Sequence, residues 1–372
     1  MLAFYISGHG YGHASRQIEI INAVARRLPD ARVMIRSSAS RKLFERTVNA
    51  RFDLDDRPVD TGVAQIDSLR LDEAKTLRTA AEFYRTFDAR TRDEAGVLQS
   101  YGARFVVSDA PPLGCSAAAL AGIPSVVVSN FTWDWIYSTY SEHLASAQDV
   151  IPEIQRAYRH SDAAWRLPMH GGFETFEQIV DIPFVARHAT HSRDETRERL
   201  GLPPDRRLAL SSFGGYGADD IDFASLDSTA EWDVVLTGDA AAPALPAGTR
   251  FVRESSLYGA GLRYEDLVAA SDAVVTKPGY GIISECIANG TPIVYSSRGR
   301  FAEYDVLICE MPRYLRCAYI ERESLLAGRW RAALDAAVNS PAPLENPATN
   351  GADVVAEMIA SRRTLRNATS RR

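Results

Sequence analysis

Short apolar, β-branched runs alternate along the chain with stretches whose apolar residues recur at helical spacing. This is the pattern of βαβ units around parallel sheets. Strands are predicted at 2–7, 32–36, 105–108, 125–129, 208–212, 233–236, 273–276 and 292–295. Between 14 and 28, Ile18, Ile21, Ala25 and Leu28 fall at offsets 0, 3, 7 and 10, one face of a helix. Ser192-Arg193-Asp194-Glu195 places a capping residue three positions before a glutamate, a helix start, and Gly201-Leu202-Pro203-Pro204 follows it. This segment lies between two strand-rich halves. The pattern therefore predicts an α/β chain with domains at 1–190 and 191–345, then a C-terminal helix and basic tail at 346–372.

A length of 372 residues exceeds one compact core and agrees with two domains. The net charge of −6 argues against nucleic acid as the main partner. No apolar run approaches the ~20 residues that span a bilayer, and the first residues carry neither a basic segment nor a small-residue cleavage site. Cys115, Cys286, Cys309 and Cys317 form no C-x-x-C pair, so they read as thiols in a reducing, cytoplasmic compartment. Arg362, Arg363, Arg366, Arg371 and Arg372 make a frayed, solvated end, with contact to an anionic membrane at its inner face as the sharper alternative.

Each half opens with a strand running into a glycine-rich turn. The first is Ser7-Gly8-His9-Gly10-Tyr11-Gly12-His13 and the second Ser212-Phe213-Gly214-Gly215-Tyr216-Gly217. Such turns bring backbone N–H groups close to a ligand at a helix N-terminus. The first departs from the G-x-G-x-x-G dinucleotide spacing, and no acidic residue closes a second strand about twenty residues on, which disfavours a dehydrogenase. His9 and His13 share that loop. Either is a turn-packing residue or a general base, and Asp109, beyond the strand at 105–108, is either a helix cap or the carboxylate that orients the imidazole. The segment Thr276-Lys277-Pro278-Gly279-Tyr280-Gly281-Ile282-Ile283-Ser284-Glu285 reads as strand, turn and helix start. Amides at Gly279–Gly281 offer an anion site, Lys277 a neutralising cation, and Glu285 a carboxylate for two ribose hydroxyls or a support for the helix start.

The stretches His9–Arg16 (HGYGHASR) and Lys277–Glu285 (KPGYGIISE) resemble glycosyltransferases of the GT-B fold. They are most similar to the group with the peptidoglycan N-acetylglucosaminyltransferase and the UDP-glucuronosyltransferase-like enzymes. Ser129–Trp135 and Leu325–Trp330 are similar to the transferase-like domain of plant L-arabinokinases. The resemblance implies two Rossmann-like domains facing each other across a cleft, the N-terminal one taking the acceptor and the C-terminal one the nucleotide sugar. By position it implies His13 as base with Asp109 as partner. It further implies Gly12, Gly214, Gly215, Lys277, Gly279, Tyr280, Gly281, Ser284, Glu285, Arg300 and Glu303 as donor contacts, and His9, Asn130 and Trp133 on the acceptor side. Two features depart from the family pattern: the additional His9, and Glu303-Tyr304 where an Asp-Gln or Gln-Gln pair is usual.

The expected activity is inverting, metal-independent transfer from a nucleotide-diphosphate sugar, UDP by resemblance, to a hydroxyl of a small molecule, glycan or lipid-linked acceptor. No cofactor is expected, because helix dipoles and Lys277 stabilise the departing diphosphate. A nucleotide-sugar 2-epimerase of the same fold and a non-catalytic nucleotide-sugar-binding module are the alternatives. Trp133, Trp135, Phe131 and Tyr137 form an aromatic cluster that is either core or a stacking platform.

Overall fold

The computed structural model describes the whole chain except residues 67–69, 214–220, 227–230, 239–244, 298, 300 and 370–372, and the side chains of 224 and 363–369. Two units emerge. One is built from Met1–Ile66, Leu71–Ala186 and Ala348–Arg372, the other around Arg187–Pro347.

The first unit carries seven parallel strands: β1 (Leu2–Tyr5), β2 (Arg32–Arg36), β3 (Arg51–Asp55), β4 (Phe105–Ser108), β5 (Ser125–Phe131), β6 (Ala163–Gly171) and β7 (Ile179–Asp181), in the order β3-β2-β1-β4-β5-β6-β7. The second carries six: β8 (Arg207–Ser212), β9 (Trp232–Gly238), β10 (Thr249–Arg253), β11 (Ala273–Thr276), β12 (Ile293–Tyr295) and β13 (Cys317–Tyr319), in the order β10-β9-β8-β11-β12-β13. Both sheets wind outward from a central pair, β1 with β4 and β8 with β11. A ligand finds its crevice at such a reversal point, beyond the carboxyl ends of the strands.

Central strands are buried end to end, as LAFY in β1 and AVVT in β11 require. The helix Tyr11–Arg27 buries Ile18, Ile21 and Val24 against the first sheet. The helix Arg193–Leu200 starts as expected, Ser192 accepting from the Glu195 amide at 3.3 Å, and stops at Gly201 in the left-handed conformation, φ 62°.

The end of the chain differs from expectation. Instead of a short helix with a solvated tail, a helix Gly351–Thr369 packs on Tyr11–Arg27, and Ala352, Val355, Ala356 and Ile359 complete the first unit's core. Arg362 is partly exposed but engaged: its guanidinium lies 5.5 Å from the Trp165 ring centroid and 3.6 Å from Asp162. The side chains of Arg363 and Arg366, and all of Arg371 and Arg372, lie outside the described residues. Among the described residues no helix is long and apolar enough to cross a membrane. All four cysteines are free thiols, Cys115 and Cys286 buried and Cys309 exposed.

Candidate functional site

In the first unit the reversal point gathers a polar cluster inside an apolar surround. β1 runs into a turn in which Gly10 takes φ 76°, a left-handed conformation that favours glycine, and the helix Tyr11–Arg27 begins. His13 therefore stands in the first turn, 7% exposed. Asp109 follows β4, its amide donating to the Tyr5 carbonyl at 2.8 Å, so its backbone extends the β1–β4 ladder. The carboxylate is fully buried, and Oδ2 meets His13 Nδ1. Asp109 caps no helix: the next begins at Pro112 with Pro111 at its cap.

Sequence reasoning missed three members of this cluster. Arg16 and Gln17 lie three and four positions after His13, hence on the same helical face. Arg16 donates to Asp109 Oδ1, and Gln17 Nε2 to the same oxygen at 3.3 Å and to the Val128 carbonyl at 3.1 Å. Despite burial, which pushes a carboxyl up, the charges of Arg16 and His13 hold Asp109 down at about 2. Asp60 is the third. Burial outweighs its hydrogen bonds from Ser7 and Trp133 and pushes it up to about 6. The signal for Arg16 and Gln17 was the polar i, i+3, i+4 set on one face of the helix; Asp60 left none.

The three acceptor-side candidates are each engaged by protein neighbours. Both His9 ring nitrogens are engaged, Nδ1 accepting from the Val63 amide at 3.4 Å and Nε2 lying 3.3 Å from the Gln65 side-chain amide. With Nδ1 accepting, Nε2 carries the proton and needs the amide oxygen opposite it. The ring also lies so close to Gly62 that a Cβ there would stand 3.0 Å from it. Trp133 is 1% exposed, flanked by Tyr137 at 5.5 Å between ring centroids, and donates Nε1–H to Asp60 at 2.9 Å. It offers no open face for stacking. Asn130 spends both halves of its amide, accepting from Arg16 and donating to the Pro168 carbonyl at 2.6 Å.

In the second unit the turn after β11 leads through half-buried Lys277 and Gly279 into the helix Tyr280–Asn289, which ends at left-handed Gly290, φ 67°. Gly279 is extended, φ −161°, and a Cβ added there meets no atom within 4 Å. Tyr280 and Gly281 open the helix, and the Ser284 hydroxyl donates back to the Gly281 carbonyl at 2.9 Å. Glu285 is 4% exposed and carries a partner the sequence did not reveal. Arg187 donates Nε–H to Glu285 Oε1 at 2.8 Å, its NH2 group meets the same oxygen, and its NH1 group lies 3.3 Å from Glu265 Oε2. Burial raises the Glu285 carboxyl, Arg187 pulling it back down and Glu265 pushing it further up. Asn289 fastens this segment, donating to the Arg187 carbonyl at 3.0 Å and accepting from the Ala189 amide at 2.8 Å. Glu303 opens the helix Glu303–Tyr314 and is buried, while Gly12 is exposed in the first unit. Gly214, Gly215 and Arg300 lie outside the described residues.

Asp53-Leu54-Asp55 on β3 has the spacing that holds divalent ions elsewhere, but Asp53 pairs with Arg32 at 3.2 Å and Asp55 with Arg36. Among the described residues no group of three or more His, Cys, Asp or Glu is gathered as a metal site.

No family model matches the chain. It is 30% identical over 366 residues to the L-arabinokinase of Arabidopsis thaliana, covering 96% of this chain and 34% of that protein. An uncharacterized glycosyltransferase of Methanopyrus kandleri is 23% identical over 227 residues, 56% of this chain and 60% of that one. The chain thus spans about a third and three fifths of these two relatives. Among solved structures, the glycosyltransferase of kitacinnamycin superposes with a TM-score of 0.61 at 17% identity, covering 96% of this chain and 94% of that one. VinC in complex with dTDP gives 0.55 at 15%, covering 96% and 94%. The spinosyn rhamnosyltransferase SpnG complexed with thymidine diphosphate gives 0.59 at 11%, covering 98% and 100%. With two doubly wound parallel sheets of matching strand order, this chain has the GT-B fold of the glycosyltransferases.

Proposed function

We propose that the protein transfers a glycosyl group from a nucleoside-diphosphate sugar to an acceptor hydroxyl, with inversion and without a metal ion. The observation that carries this reading is the buried His13–Asp109 pair at the reversal point of the first sheet. With Asp109 on Nδ1, the Nε2 lone pair is the one left to take a proton. In this mechanism His13 Nε2 accepts the acceptor's hydroxyl proton as the oxygen bonds to the anomeric carbon. The bond from that carbon to the diphosphate breaks on the opposite face, and its electron pair leaves with the diphosphate. The Gly279–Gly281 amides at the helix start and Lys277, on the second unit, are the groups that would stabilise that developing charge, work a divalent ion performs in other enzymes. Glu285, held through Oε1 by Arg187, takes the ribose.

Two of the similar structures hold thymidine diphosphate, which supports a nucleoside-diphosphate donor. Uridine as the base, and a hexosyl or N-acetylhexosaminyl group, follow from the resemblance of the glycine-rich motifs alone. Only a third of the plant relative is matched, and the reading concerns transfer, not its kinase chemistry. Four free thiols fit a reducing, cytoplasmic setting; contact of the arginine-rich tail with an anionic membrane surface belongs to the same proposal.

The test is calorimetric titration with UDP, dTDP and GDP in EDTA, then turnover of the corresponding sugars against an acceptor panel. One diphosphate should bind, Glu285→Ala should abolish that binding, and His13→Ala should lower kcat by about 10²–10⁴-fold while leaving it intact. An epimerised sugar formed without acceptor would replace transfer by epimerisation. Binding with no turnover for any acceptor would leave a binding module.

A further inference from the structure

A histidine–carboxylate pair needs only one carboxylate oxygen, yet both oxygens of Asp109 are engaged. Oδ2 meets His13 Nδ1, while Oδ1 receives the Arg16 guanidinium and Gln17 Nε2, the latter at 3.3 Å. Arg16 is itself 8% exposed and anchored at its other end by Asn130 Oδ1, whose amide nitrogen is tied to the Pro168 carbonyl at 2.6 Å. A carboxylate gripped on one oxygen by two donors cannot rotate, so its second oxygen stays aimed at the imidazole. Arg16 also brings a full positive charge to 3.4 Å from His13 Nδ1.

We propose that Arg16 is a positioning residue of the transfer reaction, fixing Asp109 so that its second oxygen stays against His13 Nδ1 and the ring's Nε2 stays directed at the acceptor. This rests on the reading of His13 as base, and the experiment separates the two. Arg16→Met removes charge and fork, whereas Arg16→Lys keeps the charge and loses the two-point grip. In Arg16→Met kcat falls about 10–100-fold, with donor KM unchanged. In Arg16→Lys kcat falls less. An unchanged kcat in Arg16→Met, or a loss confined to donor KM, overturns the proposal.

A readout without substrate keeps the test open should the wild type turn over no sugar. The low-field proton resonance of the His13 Nδ1–H bond to Asp109, assigned by its absence in Asp109→Asn, is expected in the wild type and in Arg16→Lys, and lost in folded Arg16→Met. Its persistence unchanged in Arg16→Met overturns the role of Arg16, whatever the activity. Absence of turnover in a wild type that shows the resonance overturns transfer and leaves the positioning contact standing.

Discussion

Arg187 and Glu285 form a shielded ion pair in the second unit, the guanidinium lying between Glu285 and Glu265 with both carboxylates nearly inaccessible. Removing one partner of such a buried set typically costs about 3–5 kcal/mol, because the remaining charges lose their counter-ion. Arg187→Met should therefore lower the melting temperature. It should also push Glu285 further up from a value already raised, so that less of it is ionised near neutrality. Diphosphate affinity, measured by calorimetry, should fall at least about tenfold and recover as pH rises. A pH-independent loss would place Glu285 outside the ligand contacts.

Asp60 carries an opposite stability sign from Asp109. Its folded value of about 6 lies above the ordinary 3.8, so the native state holds the proton more tightly than the unfolded chain does. Stability from this group is full below about pH 4 and is lost as pH rises towards 6, roughly 3 kcal/mol in all by the unit conversion. Asp60→Asn keeps an oxygen for Trp133 Nε1 and should raise the melting temperature at pH 8 but not at pH 4. Equal effects at both values would remove burial of a charge as the cause.

Asp109 runs the other way. Held at about 2, it contributes stability above pH 4 that is lost as pH falls through 2. Asp109→Asn should destabilise the fold most at neutral pH and lower kcat by two or more orders of magnitude (about 10²-fold) with donor binding unchanged. Chemical denaturation at pH 7 and pH 3, beside steady-state kinetics, checks both halves.

Gly279→Val separates ligand space from protein packing. The backbone there is extended, which valine adopts freely, and the added Cβ meets no protein atom within 4 Å. Melting should hardly change while diphosphate binding weakens by about tenfold or more. Retained affinity would move the phosphate away from this turn.

Trp133→Ala should collapse the fold instead of altering acceptor KM. The ring is buried beside Tyr137, and truncation of such an aromatic costs about 3–5 kcal/mol. The Asp60 carboxylate would lose its indole donor as well. A large KM effect at unchanged melting temperature would restore the stacking role.

What the sequence discloses depends on where a residue sits in the sheet. β2, β4 and β11 match their predicted bounds because both faces of an inner strand are apolar. β3 (RFDLD), β7 (IVD) and β13 (CAY) were not predicted, since outer strands are short or carry charge and depend on a neighbour for their identity. β6 was missed because Pro168 and Arg166 interrupt its run. His13 and Asp109 were legible as residues just beyond strand ends. Arg187 was not, because its partner Glu285 lies 98 residues away and no local pattern records that pairing. Trp133 was legible as either core or stacking platform and Asn130 as an acceptor-side contact; both are buried, Asn130 at 5% and Trp133 at 1% exposure, and burial is a property of the fold.

The packing of Gly351–Thr369 on Tyr11–Arg27 makes the second unit an insertion in the first. The entering and leaving segments are stitched together, Val185 bridging to Asn350 and the Gly351 amide donating to the Phe184 carbonyl at 2.9 Å. A fragment cut after Ala186 would expose the face that Val355 and Ile359 cover, on the helix that carries His13 and Arg16. The natural excision is the reverse one: joining Ala186 to Ala348 by a short linker removes the second unit while leaving the first sheet, both its packed helices and the His13–Asp109 pair in one closed core.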